Sequence, residues 1–189
     1  QKSQQSLQDV PISISALSGD FMQENAIGDL VEVSTYVPNV RVEFTSPSSP
    51  QVFIRGFGTN SFNPSFEPAV GLVQDEVFFG RPSYFSESMY DLDRVEVLRG
   101  PQGTLFGKNT LGGAINVISK EPSEELSGAI EGRWADDDES YGVSARVSGP
   151  LIKDVLLGTL AVSYDESDGF YELIGAPTEN NWDEKESTV

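Results

Sequence analysis

Three runs of alternating residues near the C-terminal end most constrain what this chain can fold into. An apolar or aromatic residue stands at every second position, mostly with polar residues between, in residues 126–135, 140–148 and 156–165. Successive side chains of a β-strand point to opposite faces, so the pattern predicts three strands with one apolar and one polar face. Each run is close to the about 9 to 11 residues that a tilted strand needs to cross a bilayer. The alternative is a soluble β-meander with one buried face.

The connections between these runs fit three up-and-down strands. The acidic stretch 136–139 joins the first pair, and residues 149–154 join the second. If the first strand runs outward, Trp134, Tyr141 and Tyr164 fall at one level near the acidic end. Aromatic side chains are enriched where barrel strands meet the membrane–water interface, so we predict these three as interface aromatics.

The acidic groups are concentrated in the last third of the chain. Residues 1–120 carry 8 basic and 13 acidic side chains, whereas residues 121–189 carry 4 and 17, for a net charge of −18. Turn residues, among them Pro122, follow the last apolar run of the first region. We therefore predict two domains, 1–122 and 123–189. So acidic a chain would repel a phosphate backbone, which excludes nucleic acid as a partner.

The first region predicts a small α+β domain with long loops. Period-2 alternation indicates a strand, whereas apolar spacing near 3.6 indicates a helix that stops before Pro38. Loops rich in Gly, Pro, Ser and Asn separate the segments. The predicted strands are 12–16, 52–55, 71–79, 94–99 and 114–119, and the predicted helix is 21–33.

Two glycine-containing loops resemble nucleotide-binding motifs without matching them. Residues 103–110 look like a phosphate loop, but the glycine spacing is one residue short and Asn109 replaces the Ser or Thr that would ligate magnesium. Residues 56–61 follow a strand, yet Ser61 stands where a dinucleotide fingerprint needs its third glycine. Both are better explained as turns.

No catalytic, metal or cofactor site emerges from the remaining polar residues. The chain has no Cys and no His, which excludes disulfide frameworks, thiolate and imidazole metal sites and catalytic groups built on them. The acidic stretches 136–139 and 165–169 lack the ligand spacing of a calcium loop and are expected to be solvated. Asp75 and Glu76, taken as adjacent strand residues, would point to opposite faces and share no substrate.

Four blocks of strand and turn residues resemble, in the same order along the chain, the plug domain of TonB-dependent receptors. The start of the chain, residues 5–13, resembles the beginning of that plug, and residues 147–164 resemble the second and third barrel strands. The four blocks are VFIRGFG at 52–58, VGLVQDEV at 70–77, DRVEVLRGPQGTLFG at 93–107 and GGAINVIS at 112–119.

The resemblance implies an α+β plug domain followed by antiparallel β-strands of a transmembrane β-barrel, which has 22 strands in the family. Only the first of these strands are expected in this chain. It also implies a bacterial outer-membrane receptor, not an enzyme and without a cofactor, whose N-terminus faces the periplasm. Such receptors bind a scarce nutrient, most commonly an iron–siderophore complex, and import it with energy relayed by TonB. The implied partners are TonB, outer-membrane lipids and a small-molecule or metal-chelate ligand.

Two alternatives to energy-coupled import stay open. The first is an outer-membrane surface-binding protein that keeps the barrel but does not import its ligand. The second is a soluble periplasmic binding domain. The family's TonB box should lie just before Gln1, so coupling to TonB is an expectation.

The resemblance also implies roles for individual plug residues. Arg55 and Arg99 match the arginines that the family pairs with barrel glutamates to lock plug to wall, since a planar guanidinium suits bidentate pairing with a buried carboxylate. The alternative is an ordinary arginine at a sheet surface. Loops 44–50, 58–68 and 79–85 match the ligand-facing apices, where Arg81 would meet an anionic ligand. The expected ligand-facing residues are Ser46, Ser48, Ser49, Thr59, Asn60, Phe62, Asn63, Phe79, Arg81 and Tyr84.

Overall fold

The computed structural model divides the chain into two compact units, Gln1–Lys120 and Glu121–Val189. The helices in the described ranges are too short and too polar to traverse a lipid bilayer. The structure describes residues 13–44, 50–58, 68–81, 89–107, 109–135, 140–153, 155–167 and 184–188.

The first unit combines two sheets with short helices. The larger sheet has the order β1-β7-β8-β5-β6, in which β5 and β8 are parallel and the other neighbours antiparallel. Its strands are β1 (Ser13–Ser18), β5 (Val70–Gln74), β6 (Val77–Phe79), β7 (Leu92–Arg99) and β8 (Gly113–Ser119). The smaller sheet contains β2 (Val40–Phe44), β3 (Pro50–Ile54) and β4 (Phe57–Gly58), and the helices are α1 (Gly19–Glu24), α2 (Leu30–Tyr36) and α3 (Gly103–Phe106).

The core of this unit lies on one face of the larger sheet. Alternate residues of each strand point to the same face, so β7, β8 and β5 each supply a pair of apolar side chains to one layer. The first two helices with the residues that follow them, β3 and the start of β7 contribute the rest of the cluster. Its buried members are Met22, Ile27, Leu30, Val33, Val37, Val52, Ile54, Val70, Leu72, Leu92, Val95, Val97, Ile115 and Val117.

Two local predictions for this unit are wrong, and one strand was missed. The single helix predicted over 21–33 is two helices, because α1 ends at Glu24 and Asp29 caps the next one by accepting the Glu32 N–H at 2.7 Å. The strand β2 was not predicted. Asp75 and Glu76 do not lie in a strand, because both have positive φ angles, 46° and 69°, and form the two-residue turn of the β5–β6 hairpin.

The second unit is a four-stranded antiparallel sheet in the order β12-β11-β10-β9. The three predicted alternating runs are strands here, and β10 extends further than predicted. Because register fixes which side chains share a face, the pairing of Tyr141 with Trp134 and of Val147 with Leu160 aligns the apolar positions of neighbouring strands. The strands are β9 (Ser127–Ala135), β10 (Ser140–Ile152), β11 (Leu156–Ser167) and β12 (Glu184–Thr188).

Candidate membrane face and plug arginines

One face of the β9–β11 sheet, named here the apolar face, presents large hydrophobic side chains to the exterior of the unit. Ile130 is the most exposed of them, with 85% of its surface accessible. A soluble domain rarely leaves so continuous an apolar surface uncovered, whereas a strand facing lipid requires one. The exposed members on β9, β10 and β11 are Ile130, Trp134, Tyr141, Val143, Val147, Leu160, Val162 and Tyr164.

The three predicted interface aromatics lie together at one end of this face. Trp134 is directly opposite Tyr141 in the β9–β10 register, and the rings of Tyr141 and Tyr164 are 6.3 Å apart. Both phenol hydroxyls donate to Oε2 of Glu166, that of Tyr164 at 2.6 Å. Glu166 pairs with Tyr141, so it shares the apolar face. The sequence analysis did not identify this carboxylate, although Glu166 stands two residues after Tyr164 and alternate residues of a strand share a face.

The opposite face of the same strands is polar and carries an ion pair that crosses β10. Arg133 on β9 donates from a terminal nitrogen to Oδ1 of Asp165 on β11 at 2.6 Å. Gly142 on β10 lies between them, and a Cβ there would come within 2.2 Å of that carboxylate oxygen. A residue without a side chain is therefore needed for the pair to bridge three strands.

Hydroxyl groups join the strands near the other end of the polar face. The Ser148 Oγ accepts the Ser123 N–H at 2.9 Å and lies 2.7 Å from the Thr159 Oγ1. The hydroxyls of Ser123 and Ser127 are 2.8 Å apart. Ser148 is buried, and buried hydroxyls need such partners. These bonds hold the start of the second unit against β10.

The two predicted lock arginines have different environments. Arg99, at the end of β7, donates to the Ser15 Oγ at 2.9 Å and to the Pro38 carbonyl oxygen at 3.3 Å. Its Nε is buried and, within the described residues, has no hydrogen-bond partner. Arg55 lies exposed in the β3–β4 turn with φ 54°, where its N–H donates to the Asn39 carbonyl at 2.8 Å. No ion pair within the described ranges involves either arginine.

The larger sheet of the first unit carries a charged network on the face away from its core. Arg94 Nε donates to Glu96 at 2.8 Å, and the Asn116 side-chain amide donates to the same carboxylate at 2.9 Å. The hydrogen bond to Glu96 is the largest of several effects that raise the pKa of Arg94, and desolvation opposes it. The guanidinium of Arg94 is therefore held in its charged form against Glu96.

Most of the predicted ligand-facing residues lie outside the described residues, so their geometry is not described. Phe79 ends β6 and packs, half-buried, against the hydrophobic core, whereas Arg81 is exposed just after it. Within the part of the chain that the structure describes, no three acidic side chains converge as a metal site would require. The residues outside it are Ser46, Ser48, Ser49, Thr59, Asn60, Phe62, Asn63 and Tyr84.

Comparison with known proteins matches both the sequence and the fold to one family. Residues 6–114 match the family model of the TonB-dependent receptor plug domain. The pesticin receptor of Yersinia pestis is 36% identical over 115 residues, which cover 59% of this chain and 16% of that protein. The ferripyoverdine receptor of Pseudomonas aeruginosa is 28% identical over 172 residues, which cover 87% of this chain and 20% of that protein.

The fold of this chain also aligns with a solved receptor structure. The crystal structure of the ferric yersiniabactin uptake receptor FyuA from Yersinia pestis aligns with a TM-score of 0.70 and 28% identity, over 82% of this chain and 24% of that one. This chain thus spans between about a sixth and a quarter of the length of these proteins. Since the family model covers more than half of the chain, the chain belongs to the TonB-dependent receptor plug domain family.

Proposed function

We propose that this chain is the plug and the first barrel strands of a bacterial outer-membrane receptor that imports an iron–siderophore complex with energy relayed by TonB. The observation that carries the proposal is the plug family match, together with relatives named as receptors for ferripyoverdine and ferric yersiniabactin. In this proposal residues 1–122 are the plug and residues 123–189 belong to the barrel wall.

The two faces of the second unit support its assignment to a membrane wall. In a barrel, the apolar face of the strands contacts lipid and the polar face contacts the lumen. The apolar face would then meet hydrocarbon, with Trp134, Tyr141 and Tyr164 at the interface. Arg133 and Asp165 would lie in the polar lumen, where water screens their charges.

The plug residues receive roles consistent with their surroundings. Arg99 is suited to lock plug to wall, because its Nε is buried and, among the described residues, its guanidinium donates only to the uncharged Ser15 hydroxyl and Pro38 carbonyl. A half-buried cation with uncharged partners favours a carboxylate partner. Arg55 is exposed and would meet its carboxylate at the plug surface. Arg81 and the loops before it would contact the ferric chelate.

Uptake of radiolabelled ferric siderophores tests the proposal. The full-length receptor is expressed in an iron-starved strain that lacks its own siderophore receptors, with and without TonB. We expect surface binding in both strains and accumulation of iron only in the strain that has TonB. Binding without accumulation in both strains would favour a surface-binding protein. Extraction of the receptor without detergent would favour a soluble periplasmic domain.

A further inference from the structure

The hairpin that joins β10 to β11, together with the residue that precedes β9 beside it, carries large exposed apolar side chains, which we name the turn-end patch. Its members are Leu126, Leu151, Ile152, Val155 and Leu156, all exposed. Leu126, Leu151 and Val155 are 81%, 71% and 79% accessible. Water-facing turns are normally built from Gly, Asn, Asp, Pro and Ser. The middle of this turn sequence, Lys153 and Asp154, is polar, but the residues on both sides of it are large and apolar, and these require an explanation.

Backbone geometry directs the turn-end patch toward the apolar face. The turn is tight, since the Val155 N–H donates to the Ile152 carbonyl at 3.1 Å. A register shift between Pro150 and Ile152 leaves Leu151 as an extra residue and pairs Ile152 with Leu156. Such a bulge changes the direction in which side chains point, and here it places Ile152 beside Leu156, on the same side of the sheet as the apolar face.

Two leucines of the patch fill a notch in the apolar face. Gly149 and Gly158 are paired across β10 and β11, so the face has no side chains at that level. A Cβ on Gly149 would lie 3.0 Å from the Leu126 Cα, and a Cβ on Gly158 would lie 2.8 Å from the Leu151 Cδ1. The leucines occupy the space above the glycine pair. The apolar face is therefore continuous from the aromatic end to the turn.

Strand length shows why the membrane band has to include the patch. The apolar band of outer-membrane barrels is about 25 Å tall, and a strand tilted by about 40° needs about 10 residues to cross it. Counting about 10 residues along β11 from Glu166, at the aromatic end, leads to Leu156 in the patch. Measured from the same residue, Glu166, the glycine pair is about 26 Å away along the strand, or about 20 Å across the band. Without the turn-end patch, the apolar face is too short.

We infer that the turn-end patch is embedded in the phospholipid layer at the turn side of the membrane, in contact with acyl chains. The inference rests on the proposed function, because it requires β10 and β11 to span a membrane. Lys153, exposed in the turn, then extends its amine toward the lipid phosphates while its methylene groups stay in the apolar layer.

Site-directed spin labelling of the full-length receptor in phosphatidylcholine–phosphatidylglycerol bilayers tests this inference. Single cysteines are introduced at Leu151 and, in case that variant fails to fold, at Val155. Collision rates are measured with oxygen, which partitions into lipid, and with a water-soluble nickel chelate. We expect labels at Leu151→Cys and Val155→Cys to collide with oxygen at least several-fold more often than with the nickel chelate.

Two control positions separate this inference from the proposed function. Leu160→Cys lies on the apolar face and is expected to be accessible from lipid, whereas its neighbour Thr159→Cys lies on the polar face and is not. If the Leu160 label is lipid-accessible but the patch labels collide with nickel, the turn lies in water and the inference fails alone. Shielding of the patch from both reagents would mean that a protein covers it, which also overturns the inference. A Leu160 label that is inaccessible from lipid would refute the membrane wall itself.

Discussion

Replacing Gly113 with alanine tests how the plug sheet holds Arg99 in place. Gly113 begins β8 directly opposite Arg99 on β7. Its φ of 151° is strained for any residue with a side chain, and a Cβ would lie 2.3 Å from the Leu98 carbonyl oxygen and 2.9 Å from the Ile54 Cδ1. The first contact is with backbone, so relief requires β7 and β8 to move apart at the arginine.

The size of the effect follows from two separate terms. A non-glycine residue held in this backbone region costs about 1 to 3 kcal/mol, and overpacking a well-filled site costs about 1 to 3 kcal/mol more. The free energy of unfolding of the plug should therefore fall by about 2 to 6 kcal/mol, a large part of the about 5 to 15 kcal/mol that a domain has.

Hydrogen exchange in the full-length receptor measures this loss locally. Since about 1.36 kcal/mol is a factor of ten, peptides from β7 and β8 should exchange at least about 30-fold faster in Gly113→Ala. Gly103→Ala is the matched control, because nothing lies within 4 Å of its Cβ and it begins α3. Wild-type protection in Gly113→Ala, or equal loss in both variants, would refute the steric reasoning.

Three further predictions concern the charged residues. Arg99→Ala should reduce siderophore uptake and also speed hydrogen exchange in β1, because the guanidinium of Arg99 contacts that strand. Arg55→Ala should reduce uptake alone, because Arg55 is exposed. The same hydrogen-exchange profile in both variants would contradict this difference in burial. Gly142→Val should displace the Asp165 carboxylate from Arg133. Because this ion pair is partly exposed, its loss should lower the free energy of unfolding by at most about 1 kcal/mol beyond packing effects. Thermal melts of Gly142→Val with and without Asp165→Asn measure the ion-pair contribution. The pKa of Arg94 is raised, mainly by its hydrogen bond to Glu96, so its stabilisation is fully present below the ordinary arginine pKa and is lost only as the pH rises through the folded-state pKa. The stability deficit of Arg94→Met, measured by denaturant titration, should therefore not vary between about pH 6 and 9.

Local periodicity explains why three of the four described strands of the second unit were predictable, whereas β12 was not predicted. The runs predicted at 126–135, 140–148 and 156–165 correspond to β9, β10 and β11, because alternation reflects the two faces of a single strand and needs no knowledge of its neighbours. The same local reasoning could not find the patch at the turn, since the register shift at Leu151 and the glycine pair appear only when two strands are aligned.

Long-range contacts explain why the Asp75–Glu76 turn was misassigned as strand. The sequence there lacks the Gly or Asn that usually supplies positive φ angles in a two-residue hairpin. In the structure the Asp75 carboxylate accepts the Ser119 N–H at 2.9 Å and the Ser119 hydroxyl at 2.6 Å. These bonds, from a residue far along the chain, offset the strain of the turn. Propensity alone therefore favours the wrong conformation.

The neighbouring carboxylates of Asp165 and Glu166 show how one acidic stretch serves two environments. Because adjacent strand residues point to opposite faces, Asp165 meets Arg133 on the polar face and Glu166 accepts from two tyrosine hydroxyls on the apolar face. A phenol suits a membrane interface, since its ring is apolar and its hydroxyl is a donor. An ion pair is tolerated in a water-filled lumen, where its net contribution to the free energy of unfolding is small. The two carboxylates are separated by the sheet, so they cannot share a calcium ion, and Glu166 instead marks the aromatic end of the apolar face.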